Sequence, residues 1–307
     1  MTSPTETAPS ATPANDARAG FIVGTLCYFA WGFLPLLFHL LEAVGSVTVV
    51  ADRTLWSLFF VGAILVVSRK LPEVRAALAD RRTLLSMLIS ALLLAVNWLV
   101  YVYAVESGQV LEGSFGYFIN PLINVAIGMV LLGERQNRWQ TVSIIVALIA
   151  IGVQAVGVGR VPVIALTLAG SFGFYGFFRK TAKVGSASGL FVETLLLTPL
   201  AVGWLLFTFV TGGGPGYHAD PYYLALLILT GPATAVPLLF FAFAVQRLRL
   251  TTIGMLQYLA PSIQFLLAIF VLHEEINATR LFSFALIWLS LAIYSADSLV
   301  RARVQQR

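Results

Sequence analysis

The chain has 307 residues, of which 59% are hydrophobic and 11% charged, and its formal net charge is +5. Soluble domains carry about 25% charged residues, and a soluble fold of this length could not hide so much apolar surface, so lipid is the solvent for much of it. The Lys and Arg residues sit in short clusters between apolar runs with no basic face, which excludes a nucleic-acid partner as their explanation, and the single cysteine, Cys27, excludes an intramolecular disulfide and a thiolate metal site.

Residues 1–18 are polar and rich in Pro, Thr and Ala, and read as a disordered cytoplasmic tail. Crossing a hydrocarbon layer of about 30 Å takes roughly 20 apolar residues in a helix. The first such run, 20–41, is too long for a signal-peptide core and reads as a retained first span. It carries Tyr28 and Trp31 as candidate cavity walls, Trp31 lying too deep for an interfacial anchor. The second span, 47–68, holds Asp52 and Arg53 about a turn and a half inside its outer end. Ionisable groups at such depth mark functional sites. They are candidates for coupling or gating, with an ion pair or snorkelling as the alternative.

The third span, 84–106, presents Asn97 and Tyr101 on one face with Trp98 beside them. An amide among aromatic rings suits a small organic solute; an interhelical hydrogen bond is the structural alternative. Glu106 and Glu112 flank the next loop and read as solvated charges. The fourth span, 114–132, stacks Gly116, Asn120, Asn124 and Gly128 at four-residue spacing, with Tyr117 and Pro121 alongside. Amides facing lipid are costly, so this stripe faces protein or a wet cavity. Tyr117, Asn120 and Asn124 are substrate-binding candidates, the glycines equally packing residues, and Pro121 a helix kink. A fifth span follows at 140–158.

The second set of spans lies at 162–179, 188–210, 222–244, 252–272 and 279–299, followed by a cytoplasmic tail at 300–307. Tyr175 is a candidate wall in the sixth span. Glu193 lies in the seventh, at a depth equivalent to Asp52 but from the cytoplasmic end, so a proton carried on Asp52 or Glu193 is the candidate coupling ion. The ninth span repeats the stripe as Gln257, Pro261, Gln264 and Ala268 beside Tyr258. Gln257, Tyr258 and Gln264 join the binding candidates, and Pro261 is a second kink.

With both termini inside, Arg18, Arg69, Lys70, Arg75, Arg81, Arg82, Arg135, Arg138, Arg179, Lys180, Lys183, Arg247, Arg249, Arg301, Arg303 and Arg307 are cytoplasmic, against Arg160 and Arg280 outside. Only an even number of spans keeps that asymmetry. A shift of 140 residues lays GYFINPLINVAIGMVLLGER over LQYLAPSIQFLLAIFVLHEE, matching Pro121 with Pro261, Asn124 with Gln264 and Glu134 with Glu274. Nearby offsets match Trp31-Gly32-Phe33 with Tyr175-Gly176-Phe177, and Asp52 with Glu193. Five spans per half put the second copy in upside down. The fold expected is therefore an all-α integral membrane protein with ten transmembrane helices in two inverted five-helix repeats, 19–158 and 159–299, a plan common among secondary transporters.

No phosphate-binding GxxxxGK[ST] loop, GxSxG elbow or HExxH pair occurs, and no span gathers the two acids that an intramembrane lipid-modifying enzyme needs. No catalytic residue, metal site or cofactor is expected. The expected partners are a small-molecule substrate and membrane lipid; the oligomeric state stays open. A sensor or assembly subunit that moves nothing is the alternative to a transporter.

The stretch LEGSFGYFINPLINVAIGMVLLGER resembles RarD-type permeases of the EamA family, within the drug/metabolite transporter superfamily. YFAWGFLPLLF, DRTLWSLFF, NWLVYVYAV, FGFYGFFRK, VPLLFFAFAVQRLRLTTIG and FSFALIWLSLAIY extend the resemblance over about residues 20–300. It implies ten helices in two EamA-type halves, a bacterial inner membrane, and export of a metabolite or drug. Asp52 stands where family members have His, so no role of that His carries over, and the family's association with chloramphenicol sensitivity does not identify the solute.

Overall fold

The computed structural model describes residues 13–132, 137–182, 184–212, 215–245, 247–248 and 256–304, and among these there are helices and no strand. Lipid offers no hydrogen-bond partner, so a backbone immersed in it must pair with itself, and helices do this within one segment. In chain order they are α1 (Pro13–His39), α2 (Ser46–Val67), α3 (Leu71–Ala79), α4 (Arg81–Glu106), α5 (Val110–Leu132), α6 (Arg138–Val158), α7 (Val163–Thr181), α8 (Ser186–Val210), α9 (Pro215–Ala219), α10 (Pro221–Val245), α11 (Leu259–Phe270) and α12 (Ala278–Val304). All except α3 and α9 correspond to the ten expected spans. Seven of them are long and apolar enough by themselves to cross a membrane, and α7 and α11 contribute shorter apolar segments.

The ends differ from the sequence reading. Helix α1 begins at Pro13, so residues 13–18 are helical rather than part of a tail, with Asp16 in the first turn where the helix dipole favours an acid. Helix α12 runs on to Val304, through much of the expected second tail. Helix α3 lies between the second and third expected spans. Its Leu71-Pro72 start and the buried Val74 and Ala77 make it a short amphipathic connector against α4 and α8. Pro261 is the third residue of α11, three residues after the turn at Tyr258 that separates α11 from helical residues 256–257; it has no N–H to offer the Gln257 carbonyl, and the helical path is interrupted there. Helix α5 runs through Pro121; the side chains of Pro121 and Asn124, and residue Glu134, lie outside the described set.

The principal helix contacts are α6 with α12, α5 with α7, α2 with α8, α4 with α7, α2 with α10, α1 with α10, α1 with α11 and α5 with α11. Each joins a helix before residue 159 to one after it. Helices α6 and α12 are tied along their length: Asn137 donates to Asp297 at 2.6 Å, Ser143 to the Ser290 carbonyl at 2.9 Å, and Ser283 to Gln154.

Candidate functional site: a cation among aromatic rings

Helices α2 and α10 touch backbone to backbone at Gly231, where a Cβ would lie 2.6 Å from the Trp56 carbonyl carbon. That approach brings Thr234, one turn along, to Arg53, whose Nε donates to the Thr234 hydroxyl oxygen at 2.6 Å. The guanidinium carbon lies 4.3 Å from the Trp98 ring centroid and 5.2 Å from that of Phe38. Arg53 is 4% exposed, and its Nη1 is buried without a hydrogen-bond partner. No ion pair among the described residues includes it.

The magnitudes make this arrangement incomplete. A desolvated cation–π contact is worth about 2 kcal/mol and a hydrogen bond to a charged group about 1.5–3 kcal/mol. Burying an ion costs several kcal/mol after relaxation, and tens without it. These compensations leave a charge in the protein interior unneutralised.

Below the cage the predicted residues of α4 and α5 meet. The Tyr117 hydroxyl donates to Asn97 Oδ1 at 3.2 Å, and Asn97 Nδ2 donates to the Leu168 carbonyl at 3.2 Å and to Ser171 Oγ at 3.1 Å. Both ends of the Asn97 amide are therefore engaged, tying α4 to α5 and α7. Close packing of α5 on α7 permits this, since a Cβ on Gly116 would lie 2.6 Å from the Ala165 carbonyl oxygen; Gly116 is a packing residue.

The rings continue downward. Phe38 and Tyr101 are 6.0 Å apart, Tyr101 and Tyr117 5.5 Å, Tyr117 and Phe172 6.3 Å, and Phe172 and Tyr175 5.6 Å. The column ends at Glu193, which is fully buried, accepts a hydrogen bond from Ser90, and lies 3.6 Å from Arg179 Nε. Gly189 makes room for that guanidinium, because any Cβ there would overlap it.

Asp52 does not pair with its neighbour Arg53. Its carboxylate meets His218 Nε2 at 3.0 Å, with the His218 side chain one-third exposed and Asp52 5% exposed. His218 was one of three scattered histidines in the sequence, and α9 is what carries it to Asp52. Glu106 and Glu112 are not merely solvated charges either. Glu106 accepts the Ser46 N–H at the start of α2 at 2.8 Å. The buried Glu112 accepts the Ile164 N–H at the start of α7 at 3.0 Å and pairs with Arg160 at 3.3 Å. Glu274 does the same for α5, accepting from Leu111 N–H at 3.0 Å and from Val110 N–H. Acids at helix N-termini satisfy orphan donors and the dipole together.

The remaining candidates divide. Asn120 is fully buried with neither amide atom bonded. Gln264 donates to the Trp31 carbonyl at 3.2 Å and leaves its own Oε1 unpartnered, while Trp31 packs edge-on to Tyr28. Tyr258 lies elsewhere: it stacks on Phe118 and lines a cleft of about 270 Å³ with Ser262 and Trp288. Gln257, half-buried, directly precedes it. No group of three or more potential metal ligands occurs among the described residues.

Comparison with known proteins gives the family. An uncharacterized transporter of Pseudomonas aeruginosa is 42% identical over 286 residues, covering 92% of this chain and 95% of that protein. The protein RarD of Salmonella typhimurium is 39% identical over 293 residues, covering 94% of this chain and 99% of its own length, and the EamA-like transporter family matches residues 18–154. The chain belongs to the EamA-like transporter family. It is a RarD-type member, a multi-pass protein of the bacterial inner membrane. A solved crystal structure shares its fold, with a TM-score of 0.61 and 16% identity over 94% of this chain and 99% of that one. The family match covers Arg53, the Trp98 cage, Asn97 and Tyr117, whereas Thr234, His218, Glu193 and Arg179 fall outside it.

Proposed function

We propose that this EamA-family protein is a secondary carrier that moves a small organic solute outward across the inner membrane. In this reading two inverted halves, 19–158 and 159–299, alternate access to a site between them, and both termini are cytoplasmic. One repeated contact carries the reading. Ile263 of α11 fits against α1 where Gly32 lacks a side chain, a Cβ there lying 2.7 Å from it, and Ile123 of α5 fits against α7 at Gly173 in the same way at 2.6 Å. The isoleucines are 140 residues apart and the glycines 141. Two interfaces of the same build, one on each side of the centre, supply the near-equivalent arrangements that alternating access exchanges.

The solute site is the ring column with Trp31, Asn97, Tyr101, Tyr117 and Tyr175. Asn120 and Gln264, whose buried amide atoms keep unspent hydrogen-bonding capacity, are assigned to the same site together with Asn124. Coupling is to protons. His218, its side chain one-third exposed, links outer water to buried Asp52. Glu193 is the acid of the opposite end.

Flux across liposomes holding the purified protein tests this. Saturable export of a metabolite or drug from a pooled set, accelerated by a proton gradient and reduced by Asn120→Ala, is the expected result. Folded protein that moves no solute of the set with or without a gradient would favour a sensor or assembly subunit.

A further inference from the structure

We infer that the solute this carrier receives is an organic anion, a carboxylate on an apolar body, and that Arg53 meets its charge. The inference rests on the reading of the ring column as the solute site and adds the substrate class. Arginine holds its charge at neutral pH and presents five N–H donors in a fork that matches a carboxylate. Here Nε is spent on Thr234 and the buried Nη1 has no acceptor.

Among the described residues, each buried acid is committed elsewhere. Asp52, its chain neighbour, holds His218. Glu193 holds Ser90 and Arg179 at the other end of the ring column. Glu112 holds Arg160 and the α7 N-terminus, and Glu274 the α5 N-terminus. A charge kept only to pack α2 against α10 would be served as well by an apolar residue of similar volume, at lower cost. An unpaired one is served by an anion that arrives and leaves.

The surroundings define the rest of the solute. Trp98, Phe38 and Tyr101 wall the guanidinium, and the buried Tyr101 hydroxyl has no partner of its own, so it is a second polar group for the bound head. The rings beyond it accept an apolar body. A cation would be repelled, a neutral solute would leave Arg53 uncompensated, and one arginine matches the single charge of a carboxylate better than a phosphate dianion.

The test compares matched skeletons on the purified full chain: phenylacetate with phenylacetamide, nicotinate with nicotinamide, succinate with succinamide, and phenyl phosphate. The readout is the unfolding temperature in detergent, followed by flux in liposomes. Carboxylates should raise the unfolding temperature where their amides do not, with phenylacetate and nicotinate ahead of succinate. Arg53→Gln should abolish the rise, and Arg53→Lys should keep part of it. Comparison of acid with amide in the unaltered protein needs no variant to fold. Equal stabilisation by acids and amides, no stabilisation by any acid, preference for the phosphate, or an undiminished rise in Arg53→Gln would overturn the inference. Binding of carboxylates without flux would retain this inference and remove the carrier; saturable flux confined to amides or amines would do the reverse.

Discussion

Replacing Glu274 by Gln should remove a pH dependence of stability that the native chain carries. Glu274 lies in the loop between α11 and α12 and caps α5. Burial is the largest influence on it and outweighs the N–H groups of Leu111 and Val110 and the charge of Arg280, so its pKa is pushed up from 4.5 to about 7. The folded chain then binds this proton more tightly than the unfolded chain. Stability contributed by the protonated form is complete below about pH 4.5, falls as pH rises, and is gone above about 7. The difference between 4.5 and about 7 corresponds to about 3 kcal/mol at most, and partial exposure of the side chain reduces this to about 1–2 kcal/mol. Cys27 is the sole cysteine and fully buried, so a thiol-reactive fluorogenic dye reports unfolding directly. The native chain should gain stability between pH 8 and pH 5, and Glu274→Gln should gain about 1–2 kcal/mol less over that window. Parallel pH profiles for the two chains, or a native chain losing stability relative to the variant on acidification, would refute the assignment.

Gly231→Ala puts a methyl 2.6 Å from the Trp56 backbone and should destabilise by about 1–3 kcal/mol, measured as a lower unfolding temperature, while weakening solute binding by moving Thr234 from Arg53. Glu112→Gln removes the ion pair with Arg160, which Gln109 still holds by a hydrogen bond, and weakens the α7 cap; about 1–2 kcal/mol should be lost, and Glu106→Gln, at an exposed cap, should cost less. Glu193→Gln should flatten the pH dependence of transport measured in liposomes while leaving the ring column intact, and an unchanged pH profile would take Glu193 out of the proton path.

The helices of the ten expected spans were legible because lipid leaves the backbone so few choices that apolar runs mark them, the shorter α7 and α11 included. The meeting of Asn97 with Tyr117 was foreshadowed by polar groups stranded in apolar helices, since such groups must find each other or a cavity. What escaped were partnerships over long sequence distance. His218 reaches Asp52 across 166 residues through a five-residue helix, and Thr234 reaches Arg53 across 181. A threonine in a membrane helix ordinarily bonds its own preceding turn, as Thr234 also does with Thr230, so nothing local distinguishes it. Glu106 and Glu112 read as solvated charges in the sequence because the helix each one caps is not its own. The interruption at Tyr258 falls three residues before Pro261, where the sequence places a bend.

The seam between α6 and α12 has a bearing on how such a molecule can move. Its polar fastenings sit at the start of α6 at Asn137 and Asp297, midway along it at Ser143 and Ser290, and towards its end at Gln154 and Ser283. Sliding these two helices would break all three sets at once, with no water in the hydrocarbon to replace them. In the carrier proposed above, this pair would act as a fixed axle, and motion that preserves it would be a rocking of the other helices about that line.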